Sequence, residues 1–172
     1  YKRMLEVGSI DPQWKLSPRD SNAPSWDDAP NKEWQARRME VYAAQVELMD
    51  TAIGGVVDKL KELGRYENTL ILFMQDNGGC AEELRPGFTA HHVPVQTRDG
   101  QPVRGGNDPS IMPGGPADYQ SYGLYWANAS NTPFRYYKHW VHEGGISSPM
   151  IAHWPAGLTA RGQWTDELSH LI

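Results

Sequence analysis

Apolar residues recur at steps of three and four along one long stretch of the chain and run uninterrupted along one short stretch. From Asn31 to Leu63, the residues Met39, Tyr42, Val46, Met49, Ile53, Val57 and Leu60 fall on one face of a helix. Asn31 can cap its start, Glu33 sits well in the first turn, and Gly64 supplies a stop. Gly54 and Gly55 interrupt the interior, each at a cost of ~1 kcal/mol relative to alanine. That cost predicts another backbone close by. The stripe itself predicts core packing, and Asp50 within it reads as a capping or packing residue. The short run is Leu70 to Met74, preceded by Thr69, and it predicts a strand buried on both faces. Helix, short connection (Arg65 to Asn68) and buried strand follow the rhythm of a parallel α/β sheet.

Elsewhere the pattern is weaker. Residues 1–30 carry little periodicity, and Asp11-Pro12, Ser17-Pro18 and Ala29-Pro30 favour extended or turn geometry. Trp14 and Trp26 in this lead-in are predicted to anchor it, because disordered tails are poor in aromatics. Between 85 and 125 glycine and proline are dense and no helical or strand period survives. An excursion of that kind usually belongs to a functional loop or a mobile segment. Pro149 to Pro155 reads as a short strand ended by proline, and the tail with Trp164 and Leu168 to Ile172 as the start of another helix.

Composition narrows the class. The 172 residues are 39% hydrophobic and 22% charged, an ordinary globular balance with enough chain for a substantial core. Net charge is −5 and no basic run stands out, which argues against a nucleic-acid partner. No apolar stretch is long enough for a transmembrane segment. The chain opens on Tyr1 without an initiator methionine and stops in an apolar phrase, so both ends are expected to be cut. Cys80, the single cysteine, cannot form an internal disulfide.

The candidate chemistry sits where the Leu70 strand stops, at Asp76-Asn77-Gly78-Gly79. Ligands of open α/β sheets bind beyond the carboxyl ends of strands, and a carboxylate beside an amide carbonyl suits a hard cation. The same four residue types also make ordinary turns. His91-His92 could ligate a transition metal, but adjacent histidines in extended chain point opposite ways.

Three phrases in order then resemble the sulfatase family of the alkaline-phosphatase-like superfamily. They are Tyr42-Ala43-Ala44-Gln45-Val46 with Met49-Asp50 and Gly54; Asn68-Thr69-Leu70-Ile71 through Asp76-Asn77-Gly78; and Lys138, four residues, then Glu143-Gly144-Gly145-Ile146, Pro149 and Trp154-Pro155. The resemblance covers essentially the whole chain, most loosely over 85–125. It implies the C-terminal part of a single catalytic domain spanning 1–172, within an α/β/α sandwich whose sheet is mainly parallel. It also implies a calcium-dependent hydrolase of sulfate esters, with a sulfated small molecule or sulfated glycan as substrate. By motif position Asp76 and Asn77 match two calcium ligands, and Lys138 matches the sulfate-binding lysine. Glu143 to Gly145 would shape the turn that presents Lys138, and His139 and His142 would border the substrate pocket.

The family's nucleophile is a formylglycine made from a cysteine or serine followed by x-Pro-x-Arg. Cys80 precedes Ala81-Glu82-Glu83-Leu84, and no serine supplies the motif. The nucleophile and the remaining calcium ligands are therefore expected upstream of Tyr1. Two ligands cannot close a shell of about six to eight oxygens, so these residues alone are expected to be inactive. Gln75 and Ser147 stand where many sulfatases carry Ser or Thr and Arg, which leaves the subgroup open. Two other readings remain at this point: a phosphodiesterase or phosphonate hydrolase of the same superfamily, and a carbohydrate-binding module using the seven tryptophans and eight tyrosines. Sulfatases are commonly periplasmic, secreted or lysosomal. Asn128-Ala129-Ser130 is a glycosylation sequon that matters only on a eukaryotic secretory route.

Overall fold

A computed structural model describes residues 1–168. Helices α1 (Lys2–Glu6) and α2 (Lys32–Glu62) are followed by strand β1 (Ile71–Met74), short strands β2 (Arg104–Gly105) and β3 (Asp118–Tyr119), helices α3 (Gly123–Ser130) and α4 (Glu143–Ile146), and strand β4 (Met150–His153). The described residues form two compact units: one holds 1–18, 49–78 and 131–168, the other 19–48 and 79–130.

The bounds of α2 agree with its sequence signals. Asn31 precedes it in a left-handed conformation (φ 50°), and Gly64 ends it at φ 66°, where Gly64 N–H and Arg65 N–H donate back to Lys61 and Leu60. Two expectations about its interior fail. A Cβ built on Gly54 or Gly55 meets nothing within 4 Å, so neither glycine admits a neighbouring backbone among the described residues. The apolar stripe is not buried throughout, because Tyr42, Val46 and Met49 are exposed. The buried residues of α2 are Trp34, Gln35 and Arg38, since the tight contacts of this helix are made by its first turns through side-chain hydrogen bonds.

In the first unit β1 pairs with β4, and the pairing is antiparallel, with Ile71 opposite His153 and Met74 opposite Met150. The mainly parallel sheet expected of this region is therefore absent from the described pairing. A two-stranded ribbon also cannot cover both of its faces. Leu70 and Leu72 are half exposed, and all of β4 is exposed, against the expected two-sided burial. After β4, Trp154 Nε1 donates to Asn68 Oδ1 (3.3 Å) and Ala156 N–H to the Glu67 carbonyl (2.8 Å). Trp14 anchors the lead-in as expected, its ring 5.3 Å from that of Phe134. The core of this unit contains Ile10, Tyr137 and the fully buried Pro133.

In the second unit the only parallel pairing among the described residues is β2 with β3, two residues each. Trp26 lies 5.7 Å from Trp126, again as an anchor. The 79–130 segment is held less by regular structure than by Arg38, whose side chain is 2% exposed. Its Nε donates to the Ser121 carbonyl (2.8 Å), Nη1 to Gln35 Oε1 (3.0 Å) and Nη2 to Glu83 Oε2 (3.0 Å), and the guanidinium lies 4.4 Å over the Trp34 ring. Burial lowers the pKa of Arg38, and the Glu83 carboxylate opposes that shift. Glu83 also accepts from Leu124 N–H (3.1 Å) and Asn107 Nδ2. Gly123, at φ 73°, leaves space for this pair: a Cβ there would lie 1.9 Å from Glu83 Oε1. The sequon asparagine Asn128 lies within α3, half buried, its Oδ1 accepting from Asp20 N–H (3.4 Å).

The helix expected from Leu168 falls almost wholly on residues outside those described; Leu168 itself is fully exposed.

Candidate active site

Strand β1 delivers the chain to a bend at Asp76, Asn77 and Gly78. The Asp76 carboxylate is exposed, and among the described residues no hydrogen bond or ion pair engages it. Asn77 is half buried, and its Nδ2 donates to the neighbouring Gly78 carbonyl (2.8 Å). That bond orients the amide and leaves Oδ1 as its available ligand atom. An open carboxylate next to an oriented amide oxygen is a donor pair that fits a hard cation. Among the described residues no three of His, Cys, Asp and Glu gather to hold a metal, so the pair is a partial site.

The second turn runs from Asn131 to Gly145. Lys138 is half buried and follows Tyr137, which is 3% exposed. On either side of these two, Tyr136 and His139 adopt φ values of 65° and 80°. Left-handed geometry at a residue other than glycine costs of order 1–3 kcal/mol and persists only where its surroundings impose it. Here the inward carbonyls are met one by one. Gly144 N–H donates to Arg135 O (3.0 Å), Asn131 Nδ2 to Tyr136 O (2.9 Å), Trp140 N–H to Tyr137 O (3.1 Å) and Gly145 N–H to His142 O (2.7 Å).

Backbone contact joins the two turns. Gly78 N–H donates to the Gly145 carbonyl (3.0 Å), and a Cβ on Gly78 would stand 1.7 Å from Gly144 O. A Cβ on Gly144 would stand 2.1 Å from Tyr136 O, and one on Gly145 2.0 Å from Trp140 O. Only glycine permits this approach at all three positions. The bend bearing Asp76 and Asn77 is thus packed directly on the helical turn that closes the Lys138 loop.

His139 is exposed, whereas His142 is half buried just ahead of α4. The His142 ring meets Tyr136 edge-on at 4.7 Å, and Tyr136 stacks on Trp140 at 4.4 Å. The His142 Nδ1 is shielded and lacks a hydrogen-bond partner among the described residues. Arg135 covers the other ring, 4.4 Å above Tyr136, and donates to its hydroxyl (2.7 Å). Glu143 is exposed in the first turn of α4. His91 and His92, expected to point apart, lie with ring centroids 5.1 Å apart because the chain turns there and is not extended.

Asn131 was invisible as a site residue in the sequence. The signal that could have found it is the polar side chain just before Thr132-Pro133, where a chain leaving α3 must turn.

A family model for sulfatases matches residues 12–171. Among curated proteins, an uncharacterized sulfatase of Schizosaccharomyces pombe is 41% identical over 135 residues, covering 76% of this chain and 23% of that protein. An arylsulfatase of Klebsiella aerogenes is 32% identical over 144 residues, covering 77% and 29% respectively. A steryl-sulfatase of Rattus norvegicus is 31% identical over 126 residues, 73% of this chain and 15% of the relative. The chain therefore spans less than a third of the length of these relatives. A match over nearly its whole length, on the same residues that build the two joined turns, establishes that this chain belongs to the sulfatase family.

Proposed function

We propose that this chain supplies one side of the active site of a sulfatase that hydrolyses sulfate esters, within an alkaline-phosphatase-like α/β/α sandwich formed together with further sequence. Asp76 and Asn77 serve as two of the oxygen ligands of a calcium ion. When bound, that ion supplies a Lewis-acid contact for a sulfate oxygen. Lys138 lies against the sulfate, where its ammonium neutralises a non-bridging oxygen or the alkoxide leaving as the S–O bond breaks. His139 and His142 border the organic part of the ester, which is a sulfated small molecule or a sulfated glycan. The nucleophile, a formylglycine, and the remaining ligands come from outside these residues, so the 172 residues alone bind calcium weakly and turn over nothing.

The observation that carries this reading is the Gly78–Gly145 hydrogen bond with its glycine-only packing, because it supports one pocket shared by the two turns. The test uses the full-length protein, an aryl sulfate and calcium titration. Asp76→Ala is expected to abolish turnover and to bind less calcium at equilibrium. Lys138→Ala is expected to weaken inhibition by inorganic sulfate and to lower kcat/KM by on the order of 10²-fold, the scale of one lost charge contact in a transition state. Full activity of Asp76→Ala after calcium is stripped, or wild-type kinetics of Lys138→Ala, overturns the assignment.

A further inference from the structure

We infer that Asn131 is a positioning residue for Lys138, setting the affinity of the site for the sulfate group; this rests on the reading of Lys138 as the sulfate contact. Lys138 belongs to a loop whose backbone is held in left-handed geometry at Tyr136 and His139. Such a loop keeps its shape only if the carbonyls it turns inward find donors. The carbonyls of Arg135, Tyr137 and His142 are met by backbone N–H groups. The Tyr136 carbonyl, two residues before Lys138, is met by a side chain, Nδ2 of Asn131 at 2.9 Å. That same carbonyl lies 2.1 Å from where a Cβ on Gly144 would be, so it cannot swing toward α4 without striking backbone. The other end of the Asn131 amide faces the Asp76 bend: its Oδ1 is 3.4 Å from the position of a Cβ on Gly78.

One amide therefore touches both turns. It fixes the strained carbonyl that sets the direction in which the chain enters Lys138, and it rests against the glycine that follows the candidate calcium ligands. An apolar replacement leaves Tyr136 O without that donor and lets the loop relax toward ordinary φ values, which moves the ammonium off the sulfate. A misplacement of about 1 Å is enough to cost on the order of 10²-fold in a site of this kind.

A double-mutant cycle on the full-length protein tests this, read by inhibition with inorganic sulfate, kcat and KM on an aryl sulfate, and bound calcium. Asn131→Ala, and Asn131→Leu as a variant that preserves side-chain volume, are both expected to raise the sulfate inhibition constant and KM by about tenfold or more. Calcium content is expected to stay at the wild-type value. In a Lys138→Ala background the same replacements are expected to change sulfate inhibition by less than about twofold, because a residue acting through Lys138 has nothing left to position. Equal losses in both backgrounds overturn the role of Asn131 and leave Lys138 in place. Wild-type sulfate inhibition in Lys138→Ala overturns the lysine reading itself and takes this inference with it.

Discussion

The turns that bear Asp76 and Lys138 and the cluster around Arg38 are both dense in polar groups, and they are held together by opposite means. In the first, most joints are backbone, Gly78 to Gly145, Gly144 to Arg135 and Gly145 to His142, and the Asn131 amide adds one side-chain joint at the Tyr136 carbonyl. Of the chemistry-bearing side chains, Asp76 and His139 are exposed and Asn77, Lys138 and His142 are half buried. In the second, the joints are side chains. Arg38, Gln35, Glu83, Asn107 and Ser121 satisfy one another, and the guanidinium is sealed from water. A polar cluster that consumes its own donors and acceptors has none to offer a substrate. One built mostly on main-chain bonds leaves the Asp76 carboxylate open to a ligand. This difference, and not the number of charges, separates a candidate active site from structural polarity here.

The comparison breaks most visibly at Glu83. Glu83→Ala leaves Arg38 buried and without its counter-charge, and removing one partner from such a pair costs about 3–5 kcal/mol. Because Glu83 is 46% exposed, the lower end of that range is expected. Denaturant midpoints of the full-length protein measure it, and kcat of the folded fraction should hold. Gly78→Ala attacks the other arrangement. Overpacking against Gly144 O is expected to cost about 1–3 kcal/mol, and separating the two turns to lower kcat/KM by on the order of 10²-fold. Loss of stability without loss of catalysis at Gly78 would erase the distinction drawn between the regions.

Arg38→Met is the milder change within the second cluster. It removes the buried charge and leaves the half-solvated Glu83, so about 1–2 kcal/mol is expected, less than for Glu83→Ala. The reverse ranking would mean that the arginine's other bonds outweigh its ion pair. The smallest effect concerns pH. Burial raises the pKa of Tyr122, a hydrogen bond with Ser130 partly offsets it, and Tyr42, stacked at 4.8 Å, raises it further. Below the ordinary tyrosine range both states are neutral. Above it the unfolded chain ionises first, so stability falls as pH rises. Tyr122→Phe should flatten that fall between about pH 9 and 11, around the ordinary tyrosine value. An unchanged slope in unfolding titrations would remove Tyr122 as its source.

Local signals in the sequence located α2, β1 and β4, but not α1, α3, β2 or β3. Asn31 and Gly64 bracket α2 at its observed bounds, and β1 and β4 lie where apolar runs lead to Asp76 or follow Pro149. Pairing direction was not legible, since nothing in Leu70 to Met74 specifies an antiparallel partner about eighty positions away. The burial of the α2 stripe was overestimated because a periodic face says which side is apolar, not what lies against it. The motif glycines were legible as a turn, while the reason for Gly78 in particular is the Gly144 carbonyl, a contact across the fold. Pair spacing marks neither Arg38 nor Asn131, because their partners Glu83 and Tyr136 follow no helical or strand period.

The ribbon of β1 and β4 has a practical consequence for handling the protein. Leu72, Met150 and Ile151, with Leu70 just ahead of β1, meet solvent along two strands whose outer edges carry no described neighbour. Uncapped strand edges with apolar side chains recruit further strands. Prepared as these 172 residues alone, the polypeptide is expected to lose solubility as concentration rises, with light scattering growing before any unfolding signal.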